Sequence, residues 1–77
     1  MKAKVSTTTD STNVWGYIDV IAIRADGTQL SHDEWLDNLP SDVQAACSVQ
    51  YTSERHIPTS ALTEVENMLR EYGWEII

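Results

Sequence analysis

The run Val14–Arg24 (VWGYIDVIAIR) is the segment that most constrains the fold of this chain. It is the longest stretch rich in β-branched and aromatic residues, so it predicts a β-strand. Apolar residues occur at both odd and even positions, which point to opposite faces of a strand. A strand that is apolar on both faces is usually central in its sheet. We therefore expect a central strand with one face fully buried and the other partly open around Trp15, Tyr17 and Asp19.

Asp19 and Gly16 are the two unusual residues of this strand. A carboxylate buried without a partner is costly, so either a donor such as Arg24 or Arg55 satisfies Asp19, or that half of the face is open. A glycine inside a strand often marks a bulge, which would shift the parity of the preceding Trp15. The sequence leaves both alternatives open.

The segment before this strand has β propensity but little apolar content. Residues 3–9 (AKVSTTT) are typical of an edge strand, and residues 10–13 (DSTN) of a turn. Lys2 and Lys4 fit an edge position because lysines discourage pairing between sheet edges. A β-hairpin over the first 24 residues is therefore predicted.

Two capping-box patterns follow the hairpin. Ser31 and Glu34 have the spacing of a box that begins a helix over His32–Leu39, ending before Pro40. The residues expected to be buried on this helix are Trp35, Leu36 and Leu39. Ser41 and Gln44 repeat the pattern. They favour a second short helix through Cys47, although a strand remains the alternative for residues 42–48.

In the second half of the chain the spacing of apolar residues changes twice. Alternation from Val49 to Ile57 predicts an antiparallel strand that ends at Pro58. A helical apolar stripe then predicts a helix over about Ala61–Tyr72, with Gly73 as its C-terminal cap. The last four residues, Trp74–Ile77, predict a final short strand.

These elements define one α+β domain over residues 1–77, in the order ββααβαβ. The predicted architecture is a small antiparallel or mixed sheet of three to four strands, with two to three helices mainly on one face. The apolar stripe of the last helix is expected to cover the buried face of the opening strand.

The charge of the chain is strongly negative, with twelve acidic and five basic residues and a formal net charge of −7. This disfavours direct binding to nucleic acid and favours association with a basic partner. No Lys or Arg occurs between Arg24 and Arg55. The acidic residues in that gap are Asp26, Asp33, Glu34, Asp37, Asp42 and Glu54.

Motifs for catalysis or metal binding are missing from the sequence. The segment after Asp26 fails the register of an EF-hand loop, and the spacing of His32, Cys47 and His56 does not indicate a zinc site. We expect no enzyme activity, no cofactor and no metal. With a single cysteine and no apolar run long enough for a membrane span, a cytoplasmic protein that does not associate with membranes is expected.

The function predicted from these features is a non-enzymatic acidic protein-binding module. The leading hypothesis is an inhibitor that mimics nucleic acid and docks on a basic surface of a nucleic-acid-handling protein, by analogy of size and charge with small phage-encoded inhibitors. Its candidate partner-binding residues are Asp26, Asp33, Glu34, Asp37, Asp42, Trp15 and Tyr17. The alternative is a structural or assembly module that forms a homodimer through its sheet edge or its Trp15/Tyr17 face.

Overall fold

A mixed three-stranded sheet and three α-helices form the fold in the computed structural model, which describes residues 1–77. The predicted α+β class is confirmed. The elements are β1 (Lys2–Thr9), β2 (Gly16–Ile23), α1 (His32–Asn38), α2 (Ser41–Cys47), a 3₁₀ turn (Glu54–His56), α3 (Thr59–Glu71) and β3 (Glu75–Ile76). Their order follows the predicted one except that no strand forms between α2 and α3.

The sheet has the strand order β2-β1-β3, so β1 is its middle strand. β1 pairs antiparallel with β2 along its whole length and parallel with β3 at Lys2 and Ala3. The prediction that β2 is central is therefore wrong. The edge-strand prediction for residues 3–9 fails at Ala3, where β1 has a strand on both sides, whereas the rest of β1 pairs only with β2. β1 is polar on its outer face, where Lys2 and Lys4 are exposed, and Ala3 on the opposite face is fully buried. Thr7 and Thr9 lie on the same face as Ala3, so that face is partly polar as well.

Burial along β2 alternates strictly between buried and half-buried residues. Ile18, Val20 and Ala22 are buried on the inner face, and Tyr17 and Asp19 are half-buried on the outer face. The expectation of one buried and one partly open face is confirmed. Neither Arg24 nor Arg55 forms an ion pair with Asp19, and Arg24 pairs instead with Glu34.

Gly16 is required by a close approach of backbone. A Cβ atom at this position would lie 2.6 Å from the backbone nitrogen of Glu54 and 2.7 Å from its Cα. Gly16 also exchanges two backbone hydrogen bonds with Tyr51, at 3.0 and 2.9 Å. Its pairing with Thr9 keeps the regular register, so no bulge shifts the strand.

The predicted strand over residues 49–57 is wrong. Only Tyr51 bridges to a strand, and the chain then enters the 3₁₀ turn over Glu54–His56. One tertiary and one local hydrogen bond favour this turn over an extended chain. Thr7 donates a hydrogen bond to Glu54, and the Ser53 hydroxyl is hydrogen-bonded to Nδ1 of His56.

The core lies between the inner face of the sheet and helices α2 and α3. α3 packs on β1 and α2 packs on β2. The buried face of β2, which the sequence assigned to the last helix, is therefore covered mainly by α2. The buried apolar residues are Ala3, Ile18, Val20, Ala22, Leu30, Leu39, Val43, Ile57, Val65 and Leu69.

The C-terminal end of α3 was predicted well. Gly73 adopts φ +85°, and the backbone nitrogens of Gly73 and Trp74 donate to the carbonyls of Arg70 and Leu69. This is the paired hydrogen-bond pattern of a glycine-terminated helix. The chain then enters β3, which confirms the predicted final strand. None of the helices has the length and apolar character needed to cross a membrane.

Candidate partner-binding surface

α1 begins with the capping box that the sequence predicts. The backbone nitrogen of Glu34 donates to the Ser31 hydroxyl at 3.3 Å, and the Ser31 backbone nitrogen donates to the Glu34 carboxylate at 3.2 Å. The reciprocal bonds satisfy two backbone donors that an uncapped helix would leave free. α1 ends at Asn38, one residue before the predicted end.

Fewer side chains of α1 are buried against the protein than the sequence predicts. Leu39 is buried just beyond the helix, and Trp35 is half-buried, with its indole Nε1 donating to the Val20 carbonyl at 2.8 Å. Leu36 was expected to be buried but is 47% exposed. α1 itself contains no buried residue, so it flanks the free edge of β2 instead of entering the core.

Asp33, Leu36 and Asp37 form the solvent side of α1, which we call the acidic α1 face. The spacing of three and four residues places these side chains together on one side of the helix. All three are exposed, and neither aspartate makes a hydrogen bond or ion pair through its side chain. The face therefore presents two free carboxylates beside an exposed aliphatic side chain.

Asp26 and Glu34 are engaged within the chain. Asp26 accepts hydrogen bonds from the Thr28 hydroxyl and backbone nitrogen at 2.6 and 2.9 Å. These two bonds, the side-chain one foremost, lower the pKa of the Asp26 carboxyl. Glu34 closes the capping box and pairs with Arg24. Both carboxylates thus have structural roles in the turn and cap that precede α1.

Asp42 lies in the first turn of α2 and accepts a hydrogen bond from the Tyr72 hydroxyl at 3.2 Å. This bond is the main reason that the pKa of Tyr72 is raised. The predicted capping box at Ser41 and Gln44 does not form, because Pro40 occupies the cap position. The Gln44 amide instead donates to carbonyls at the end of α1, which ties the two helices together.

A groove of about 310 Å³ runs between α1 and β2. Its volume is at the lower limit of typical ligand sites. Sequence reasoning did not identify this groove, because it forms only when the α1 cap and the β2 edge meet. The side chains that give it its character are Tyr17, Asp19, Ile21, His32, Trp35 and Cys47.

Asp19 is the negative charge in this groove. It is half-buried and has no intramolecular hydrogen bond or ion pair, and the groove lining contains no Lys or Arg. Burial, and to a lesser extent the charge of Asp19, raise the pKa of the Cys47 thiol to about 11. The thiol is therefore protonated at neutral pH, and the groove keeps a single unneutralised carboxylate.

Trp15 and Tyr17 lie at the opposite end of β2 from the turn that leads into α1. Trp15 is 39% exposed, whereas Tyr17 is half-buried and its hydroxyl accepts a hydrogen bond from the Gln50 amide at 2.9 Å. Tyr17 reaches the α1 groove, but Trp15 is not part of its lining. The structure therefore links Tyr17, and not Trp15, to the surroundings of the acidic α1 face.

Comparison with known proteins gives no relative from which a function could be transferred. No family model matches the chain, and neither the curated proteins nor the solved structures contain a match. The chain also has no group of three or more His, Cys, Asp or Glu side chains arranged to hold a metal ion.

Proposed function

We propose that this protein is a non-enzymatic binding module that docks its acidic α1 face on a basic surface of a partner protein. The partner class that fits best is a nucleic-acid-handling protein. A surface that binds phosphates is rich in Lys and Arg, and an acidic face can occupy it in place of nucleic acid. Docking there would inhibit the partner by competition.

The observation that carries this proposal is the free state of Asp33 and Asp37. In this chain Asp26, Glu34 and Asp42 are engaged by neighbouring groups, whereas the two α1 aspartates are not. They lie four residues apart on one side of a helix, where like charges repel by a few tenths of a kcal/mol. A basic partner would remove this repulsion. Exposed Leu36 between them adds an apolar contact.

The groove beside α1 extends the same surface. Asp19 provides an unpaired carboxylate in a recess bordered by Trp35 and Tyr17. A Lys or Arg side chain of the partner would find there a charge partner and aromatic surface for its aliphatic stem. The proposed contact therefore combines a charged rim with one recessed anchor. A reducing compartment, such as the cytoplasm, suits a protein whose single Cys47 is a free thiol.

The test compares two variants with the same change in net charge. One is the double variant Asp33→Asn/Asp37→Asn, and its matched control is Glu64→Gln/Glu71→Gln, two exposed glutamates on α3. Each protein is immobilised and exposed to a lysate of its own host, and retained proteins are quantified by mass spectrometry. We expect basic nucleic-acid-binding proteins to be retained by wild type and control and lost with the α1 variant.

Two further measurements decide whether the docking mimics nucleic acid. Added duplex DNA or structured RNA should displace the retained partner, and rising salt should weaken its binding steeply. Retention that is equal for both double variants, or that is insensitive to salt, would contradict the acidic α1 face as the binding surface.

A further inference from the structure

The edge of β2 that faces away from β1 has unpaired backbone groups in its middle. Gly16 exchanges two hydrogen bonds with Tyr51 on this edge. Because backbone groups alternate in direction along a strand, Ile18 and Val20 present their N–H and C=O groups on the same edge. The Val20 carbonyl accepts a hydrogen bond from the Trp35 indole at 2.8 Å. Between these contacts, the Ile18 N–H, the Ile18 C=O and the Val20 N–H make no hydrogen bond within the chain.

These three groups border the groove between α1 and β2. Ile18 is 3% and Val20 2% exposed, and both residues line the groove. Their side chains lie in the core on the inner face of the sheet, so the groove meets their backbone. Buried backbone donors and acceptors are almost always paired. Three neighbouring groups without a partner therefore make this wall of the groove favourable for a polar ligand.

The open run is too short for another strand to add to β2. At one end the Gln50 amide binds the Tyr17 hydroxyl, and at the other the Trp35 indole occupies the Val20 carbonyl. An added strand would have to displace one of these contacts to continue its pairing. A groove of about 310 Å³ instead suits one small molecule.

The order of the open groups specifies the edge of that molecule. Along β2 the order is donor, acceptor, donor, so a complementary ligand presents an acceptor, a donor and an acceptor. The cyclic imide of uracil and thymine has this order in one plane. Proteins commonly recognise unpaired bases by hydrogen bonds along this edge, with the ring stacked on an aromatic side chain.

The remaining walls of the groove favour a nucleoside that carries no phosphate. His32 and Trp35 stack with their ring planes within 12°, and Tyr17 adds a third aromatic ring to the lining. The Asp19 carboxylate has no partner in the chain and can accept hydrogen bonds from ribose hydroxyls, as acidic side chains do in dinucleotide-binding sites. The lining contains no Lys or Arg, so nothing would offset the repulsion between Asp19 and a phosphate.

We propose that this groove binds an uncharged pyrimidine nucleoside of the uridine type. The imide N–H donates to the Ile18 carbonyl, and the two ring carbonyls accept from the N–H groups of Ile18 and Val20. The ribose hydroxyls donate to Asp19. This site goes beyond the proposed docking and does not depend on it. A bound nucleoside would exclude a basic side chain of the partner from the recess at Asp19.

Titration of the ¹⁵N-labelled protein with uridine tests the site by NMR. We expect the amide resonances of Ile18 and Val20 to shift with saturation, because both N–H groups donate to the ligand, while the amides of α3 stay in place. Absence of saturable shifts at Ile18 and Val20 overturns the proposal. The titration uses the protein alone, so its outcome is independent of the lysate retention that tests docking.

Two methylated nucleosides separate hydrogen bonding from shape. 3-Methyluridine lacks the imide N–H and leaves the Ile18 carbonyl unpaired, so it should bind about tenfold more weakly than uridine. 5-Methyluridine is the matched control, since it carries a methyl group on a ring carbon and keeps the imide. Equal affinities of the two methylated compounds overturn the imide contact. Uridine monophosphate should bind more weakly than uridine, and tighter binding overturns the charge argument.

An Asp19→Ala variant tests the ribose contact. The wild type should prefer uridine to its dideoxy analogue, which lacks both ribose ring hydroxyls, and the variant should bind the two equally. Glu64→Ala, which removes an exposed acid on α3, is the matched control and should keep the preference. A preference that survives in Asp19→Ala overturns the role of Asp19. The amide spectrum of each variant shows whether it is folded.

Discussion

At the Gly16 end of β2 backbone packs directly against backbone, whereas at the Ile23 end backbone hydrogen bonds are supplemented by an ion pair and a helix cap. Gly16 exchanges hydrogen bonds with Tyr51 and leaves room for the main chain of Glu54. Beyond Ile23 the Arg24 nitrogen donates to the Thr28 carbonyl and the Leu30 nitrogen to the Ala22 carbonyl. The Arg24–Glu34 ion pair and the Ser31 capping box then attach α1 to this connection. The first arrangement tolerates almost no added atom, while the second leaves most of α1 exposed.

Carboxylates are used differently at the two ends. Asp10, near the Gly16 end, accepts hydrogen bonds from the Thr12 hydroxyl and from two backbone nitrogens in the turn before β2. Beyond the Ile23 end Asp26 and Glu34 are engaged in a similar way, but Asp33 and Asp37 accept no hydrogen bond. The difference indicates that the first end contributes to stability, whereas the α1 end has polar groups available for a partner.

Gly16→Ala should give the largest effect. The new Cβ would overlap the Glu54 backbone, and overpacking of this kind costs about 1–3 kcal/mol of unfolding free energy. Urea denaturation measures the loss. Gly27→Ala is the comparison, since Gly27 has φ +88° but no atom within 4 Å of its added Cβ. Gly16 has no positive φ, so its loss measures close packing, whereas any loss at Gly27 measures its backbone conformation. A Gly16→Ala variant as stable as the wild type would contradict the close approach of the Glu54 backbone.

Ser31→Ala should have an intermediate effect. It removes the hydroxyl that caps α1, at a cost of about 1 kcal/mol in unfolding free energy. Ser41→Ala is a matched control, because Ser41 begins α2 without forming a cap bond. Thermal unfolding of both variants compares them. A loss as large at Ser41 as at Ser31 would argue against capping as the means by which this end is held.

Asp37→Lys should have a small effect on stability and a large one on partner binding. The change replaces the repulsion between Asp33 and Asp37 by an attraction and puts a positive charge near the helix C-terminus. We expect unfolding free energy to rise by about 0.5 kcal/mol or less, while retention of the basic partner falls. A variant that is destabilised and still binds normally would reverse the roles assigned to the two ends of β2.

Asp42→Ala should give the smallest effect, seen chiefly in the titration of Tyr72, because alanine leaves the Tyr72 hydroxyl without its acceptor. Because the bond to Asp42 raises the pKa of Tyr72, the variant should lower the midpoint of its phenolate absorbance. The folded state favours the protonated phenol, so this contribution to stability is present below the unfolded pKa. It is lost as the pH rises through the folded one. The absorbance change that is lost in Tyr72→Phe identifies the titration of Tyr72. A Tyr72 midpoint that does not change when Asp42 is replaced would contradict this hydrogen bond in solution.

Local signals in the sequence were the ones that could be interpreted correctly. The Ser31 capping box and the Gly73 helix end depend on residues a few positions apart, so neighbouring sequence determines them. The alternation from Val49 to Ile57 is equally local, but the close contact between Glu54 and Gly16 overrides it. The sequence of residues 49–57 alone cannot show that a distant strand lies beside this segment.

Strand order and the candidate site show the same limit. Residues 3–9 were predicted to form an edge strand because their side chains are polar, but side-chain polarity does not show that β3 pairs with the beginning of β1. The acidic residues were found from composition. Which of them are free was not, because Asp26 and Asp42 are engaged by Thr28 and Tyr72 through folded contacts.

The short pairing of β1 with β3 also has a consequence for folding. It joins Lys2 to Glu75, which lie 73 positions apart in the sequence, through only two pairs of residues. Contacts of such long sequence separation form late and slowly, because closing the loop costs entropy that few bonds repay. The amides of β3 should therefore exchange with deuterium faster than those of the β1–β2 hairpin, and β3 should be the first part of the sheet to detach.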